Sequence, residues 1–104
     1  MHTSSIEPQV ATAVRVDVGA DALVVELSDG RVISVPMAWY PRLGHASDSE
    51  RGNWRFIGEG RGIHWTEIDE DISVENLLAG KHSGESQLSF KRWLESRSNQ
   101  IPSA

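Results

Sequence analysis

"LVVELSDGRVISV", residues 23–35, is two apolar runs around an aspartate and a glycine, and the length of the loop between them decides the fold. A two-residue Asp29-Gly30 turn would set Val25 opposite Ser34 and Glu26 opposite Ile33, mixing apolar and polar side chains on both faces. A three-residue loop of Ser28, Asp29 and Gly30, with Gly30 left-handed after a type I turn, sets Val25 against Ile33 and Leu23 against Val35. The second register leaves one wholly apolar face, so the spacing predicts a three-residue hairpin.

Upstream, Val10, Thr12, Val14, Val16 and Val18 alternate with Ala11, Ala13, Arg15 and Asp17, the period of a half-buried strand, before Gly19, Ala20 and Asp21 turn the chain. Downstream, Pro36 and Pro41 bracket "MAWY"; Pro41 suits only the first turn of a helix, so a short helix is expected to begin near Tyr40. "SDSE" at 47–50 is a capping box in which Ser47 and Glu50 satisfy each other's backbone N–H groups, and Gly52 keeps the resulting helix brief. "WRFIG" and "GIHW", separated by Glu59, Gly60 and Arg61, read as a second hairpin.

The stretch "GIHWTEIDEDISVENLLAG" at 62–80 then reads as a strand, an acidic turn and a short helix from about Val74 to Ala79. Ser73 is its N-cap, Ile72 and Leu77 form a hydrophobic staple, and Gly80 is its left-handed stop. Further on, Phe90, Trp93, Leu94 and Arg97 recur at helical spacing, which predicts a terminal amphipathic helix docking through its aromatic face. Strands precede helices, so the expected class is α+β: a small, mainly antiparallel sheet of about five short strands, short helices, and one C-terminal amphipathic helix. A single domain over 10–97 is expected, with 1–9 and 98–104 as flexible tails.

The bulk composition agrees with one folded unit. At 104 residues there is room for a single core, and 38% hydrophobic residues with four tryptophans can fill it. The absence of cysteine rules out disulfides and thiolate chemistry and points to a reducing cytoplasm. No apolar run reaches membrane-spanning length, and no membrane partner is expected. A net charge of −5 is the wrong sign for phosphate neutralisation, which disfavours direct nucleic-acid binding by the isolated chain.

Three patterns invite a chemical reading. His64 with Asp69 or Asp71 could be an acid–base pair or a metal site, yet no second histidine stands at the spacing of a helical zinc motif and no calcium-loop pattern is present. The acids are better explained by a helix N-terminus, where the dipole is positive. Glycines at 58, 60 and 62 suggest a phosphate loop, but the segment leads into a strand rather than a helix, so a turn requiring positive φ is expected. Trp39, Trp54, Trp65 and Trp93 either fill the core or anchor a partner. Flanking prolines single out Trp39, Tyr40 and Arg42 as the exposed anchor, with Arg51 and Arg55 beside them. No catalytic residue, metal or cofactor is expected.

Taken together, "LSDGRVISVPMAWYPRL", "ERGNWRFIGEGRGIHWTEIDEDISVENLLAG" and "SGESQLSFKRWLESR" resemble the bacterial domain-of-unknown-function family numbered 2442, over about residues 10–97. The resemblance implies a small α+β domain, joined in some longer members to a helix-turn-helix module. It also implies genes that often lie beside those of another small uncharacterised family, which suggests an antitoxin-like or partner-binding role. This chain has only one helix and a tail from Ser83 onward, so regulation would need a partner chain or self-association. The expected function is a non-enzymatic protein-interaction domain bound to another protein, or to a second copy of itself. The alternatives are a ligand-binding protein or hydrolase with a cleft of His64, Trp65, Asp69 and Arg55, and a nucleic-acid-associated regulator using the arginines.

Overall fold

The computed structural model describes residues 11–100, with side chains to residue 97. Val10, the expected tail 1–9, and residues 101–104 of the second tail lie outside the described residues. The chain forms β1 (Ala13–Val18), β2 (Ala22–Leu27) and β3 (Val32–Pro36), then a 3-10 turn at Met37–Trp39. Two short helices follow, α1 (Pro41–Gly44) and α2 (Asp48–Gly52), before β4 (Trp54–Ile57), β5 (Gly62–Trp65) and β6 (Glu70–Ser73). α3 (Val74–Leu78) and α4 (Gln87–Gln100) complete it. The class is α+β, with strand orders β1-β2-β3 and β4-β5-β6. Six strands in two antiparallel meanders replace the expected five in one sheet.

The register of the first hairpin is the one its apolar face demands. Leu23 pairs with Val35 and Val25 with Ile33. The loop closes through Gly30 N–H to Leu27 O at 3.0 Å, with Gly30 at φ +94, a conformation that costs glycine nothing. The expected alternation in β1 is broken by an irregularity between Ala13 and Arg15, which leaves Val14 exposed and turns Ala13 into the core. One extra residue in a strand shifts which face its neighbours occupy. Val16 and Val18 keep their inward positions, packed against the core.

The sixth strand was hidden by its composition. Glu70 and Ile72 point inward and Asp71 and Ser73 outward, but a glutamate at a core-facing position does not read as a strand. β6 pairs along β5 from Gly62–Ser73 to Trp65–Glu70 and runs directly into α3. There the Ser73 hydroxyl accepts from Asn76 N–H at 3.0 Å. Gly80 N–H to Leu77 O and Lys81 N–H to Asn76 O close the helix as a Schellman motif, with Gly80 at φ +71.

The inner faces of both sheets meet over Leu23, Val25, Leu27, Leu43, Ile63, Trp65, Ile68 and Val74, all essentially inaccessible. The sheets are held close where the 58–60 turn meets β1: a Cβ on Gly60 would stand 3.0 Å from Ala13 O. This explains the glycine-rich segment as a turn rather than a phosphate loop. Gly58, Glu59 and Gly60 all have positive φ. The capping box of α2 forms as expected, Ser47 Oγ accepting from Glu50 N–H at 3.1 Å and Glu50 Oε1 from Ser47 N–H at 2.8 Å.

α4 docks by side chains. Phe90 meets His45 edge-on, and the Arg97 guanidinium stands 4.5 Å from the Trp93 ring centre. Arg97 also donates two hydrogen bonds of 2.9 Å to Glu50. The helix continues to Gln100, so the backbone at 98–100, expected to be tail, is helical.

Candidate functional site

Of the five residues expected to anchor a partner, three are structural. Tyr40 is buried and its hydroxyl donates to Lys81 O at 3.1 Å. Arg42 donates Nε and Nη2 to Glu85, the shortest contact being 2.6 Å, and Nη1 to Ile68 O at 2.8 Å. This pairing holds the Glu85 carboxyl below its usual range. Arg51 donates to Leu43 O and Gly44 O, tying α2 to α1. Trp39 is half-buried, packed against the core and stacked on His82 at 4.0 Å. Of the five, Arg55 alone is exposed.

The expected ligand cleft does not assemble. Trp65 is the largest fully buried side chain, its indole N–H donating to Arg51 O at 3.0 Å, so it is core. Asp69 sits in the turn before β6 at φ +51 and lines a hollow with Arg42, away from His64. His64 instead donates Nδ1–H to Asp71, its cross-strand neighbour in β6. Arg55 is the neighbour of His64 on the other side, so Arg55, His64 and Asp71 form a row across the outward face of the second sheet. Among the described residues no group of three or more His, Cys, Asp or Glu is placed to hold a metal ion.

The feature that spacing did not mark is the edge strand β4. Trp54 and Phe56 lie edge to face, ring centres 5.0 Å apart, and Phe56 is 38% exposed. β4 pairs with β5 residue for residue, with no bulge, and its other side has no strand among the described residues. Beside it, an open hollow of about 350 Å³ is bounded by Val16, Asp17 and Val18 of β1, Asp48 and Arg51 of α2, and Trp54. An unpaired edge with half-exposed aromatics and an arginine combines free backbone groups with the side chains that most often dominate protein interfaces. The signal lies in "WRF", which the spacing marks as one arm of a hairpin without saying which side of it stays unpaired.

No helix among the described residues is long and apolar enough to cross a membrane. The family model described as "Protein of unknown function (DUF2442)" matches residues 13–83. No curated protein matches the chain. Among solved structures, a protein of unknown function from Rhodospirillum rubrum ATCC 11170 is 24% identical with a TM-score of 0.65, covering 77% of this chain and 99% of that one. The uncharacterized protein CV0863 from Chromobacterium violaceum is 17% identical with a TM-score of 0.59, covering 86% of this chain and 79% of that one. These two likenesses concern the fold alone.

Proposed function

The chain belongs to the DUF2442 family of proteins of unknown function, and from that premise we propose that it acts by binding another protein rather than by catalysis, through the free edge of β4. The observation that carries this reading is the exposed Phe56 against the half-buried Trp54 on an unbulged edge strand beside an open hollow. β1, the other strand at that hollow, is irregular between Ala13 and Arg15, which blunts it as a pairing edge.

The occupant is an extended segment of a partner chain. It adds a strand to β4 by backbone hydrogen bonds and places apolar side chains against Val16, Val18 and Trp54. Asp17 and Asp48 line the same hollow against Arg51, which pairs with Asp48 at 3.7 Å and leaves Asp17 over, and the whole chain carries −5, so the segment that fits is basic as well as apolar. An antitoxin-like role, in which a small basic protein is neutralised in the cytoplasm, is the form of this proposal closest to the family resemblance.

The test begins with affinity capture from the native host and proceeds to titration of the purified partner. Truncating an interface aromatic commonly weakens binding by about 2 kcal/mol, roughly 30-fold. Phe56→Ala should show that loss while costing about 1 kcal/mol or less in stability, because Phe56 is already partly in solvent. A stoichiometric partner bound equally well by Phe56→Ala, or no stoichiometric partner at all, sinks the proposal.

A further inference from the structure

Away from β4, the core-facing row of the second sheet ends in a charged group with no counterpart in the first. Glu70 is only 9% exposed, and no hydrogen bond reaches its carboxylate from any described residue. Arg42, the guanidinium that lines the same hollow, gives it no hydrogen bond: its Nε and Nη2 donate to Glu85 and its Nη1 to Ile68 O. A buried carboxylate without a donor is costly, and native structures almost always supply one from protein, water or ligand.

The space to supply it is present. Glu70 lines a narrow recess of about 70 Å³ with Tyr40, Ser73, Asn76 and Ser83. It also lines a wider, open hollow of about 280 Å³ with Arg42, Asp69, Glu85 and Ser89. Ser83, Gly84 and Glu70 line both, so the two spaces adjoin at Glu70. The wider hollow sets three carboxylates, Asp69, Glu70 and Glu85, against the single guanidinium of Arg42.

We propose that this recess and its mouth bind a small organic cation, an alkylammonium group, with Glu70 as its anchoring carboxylate. Size and charge select the ligand. A water molecule takes about 30 Å³ of liquid, so the recess admits an ammonium head and little more, while the mouth admits its chain. An ammonium brings three N–H donors to a place where a carboxylate has none. A hard dication is a poorer fit, since Arg42 occupies one wall and no group of three or more His, Cys, Asp or Glu is placed to ligate a metal among the described residues.

Burial, together with Glu85, Asp71 and Asp69, raises the Glu70 carboxyl to about 7, against the opposing pull of Arg42. Lys81 and His82, from the loop after α3, line the recess together with Tyr40 and Asp71. The ionised form that an ammonium requires therefore fills in as pH rises through neutrality.

The probe is 1,4-diaminobutane, with 1,4-butanediol as its uncharged counterpart, titrated by calorimetry and by the ¹³C shift of the Glu70 carboxyl. We expect the diamine alone to bind, about tenfold more tightly at pH 8 than at pH 6, and to move the Glu70 resonance with the amides of Ser83 to Glu85. Glu70→Gln should lose at least about tenfold in affinity while Glu59→Gln, an exposed control, keeps it. Absence of diamine binding at pH 8, equal binding of the diol, or undiminished binding to Glu70→Gln would each overturn the proposal. The carboxyl resonance of the unsubstituted protein decides the matter should Glu70→Gln fail to fold.

Discussion

The two meanders have the same topology and opposite contents. In the first sheet, Leu23, Val25 and Leu27 are completely withdrawn from solvent, and they and their cross-strand partners Ile33 and Val35 are all apolar. In the second, the inward row contains Ile63, Trp65 and Ile72, but also Glu70 at one end and the half-exposed Phe56 at the other. Apolar burial is non-directional and tolerates no unpaired charge, so a sheet that does nothing but build a core looks like the first. A glutamate at a core position and a phenylalanine in solvent are departures that cost stability, and such departures collect where a protein does its work. Both candidate sites, the β4 edge and the Glu70 recess, lie on the second sheet.

The comparison is sharpened most by removing the largest core side chain from each sheet. Trp65→Ala should destabilise by about 3–5 kcal/mol and Leu23→Ala by about 2–5 kcal/mol, the range for emptying a close-packed site. Trp65 should be the more severe, since its loss also frees Arg51 O, whose partner is the indole N–H at 3.0 Å. Urea unfolding midpoints measure both. A loss at Trp65 well below that at Leu23 would mean that the second sheet is not an equal partner in the core.

Glu70 breaks the symmetry in the opposite direction. Its carboxyl is raised from 4.5 to about 7 in the folded chain, so between those values the folded state binds more protons than the unfolded one. Stability is therefore highest below the unfolded value, falls as pH rises through the window, and is fully lowered above pH about 7, by on the order of 3 kcal/mol. Glu70→Gln carries no charge to desolvate. It should gain on the order of 3 kcal/mol over the parent at pH 8 and be close to neutral at pH 4, as followed by urea unfolding at both values. A variant destabilised at pH 8 would show that the ionised carboxylate is satisfied within the fold.

The same asymmetry explains what could be read in advance. The first hairpin was legible down to its register because a period of two and one apolar face leave a single solution. Helix caps were legible because Ser47, Glu50, Ser73 and Gly80 act on backbone a few residues away. β6 was not, because Glu70 stands where the pattern requires an apolar residue. The Val14 irregularity was not, because an extra residue shows only in the partner's register. Tyr40 and Arg42 looked available because their partners, Lys81 and Glu85, lie more than forty residues along the chain. Spacing alone offers His64 either Asp69 or Asp71, and strand pairing assigns it Asp71 and leaves Asp69 in the turn.

The smallest effect concerns α4, which joins the rest through a few side chains rather than a continuous apolar face. Arg97 holds Glu50 with two hydrogen bonds and draws its carboxyl down from 4.5 to about 2. For a depressed carboxyl the sign reverses: the contribution is present above pH 4.5 and is lost as pH falls toward 2. Both partners keep some solvent access, 29% for Arg97 and 18% for Glu50, so screening limits the pair to about 1 kcal/mol. Arg97→Ala should accordingly lower the melting temperature by a few degrees at pH 7, with little change at pH 2, where Glu50 is about half neutral in the parent and most of the pair's contribution is already lost. Ser47 still caps α2 through its Oγ, so the loss should fall on the helix junction, seen as faster amide exchange along α4 with β5 unchanged. Equal acceleration in α4 and β5 would mean that the terminal helix belongs to the cooperative core rather than resting upon it.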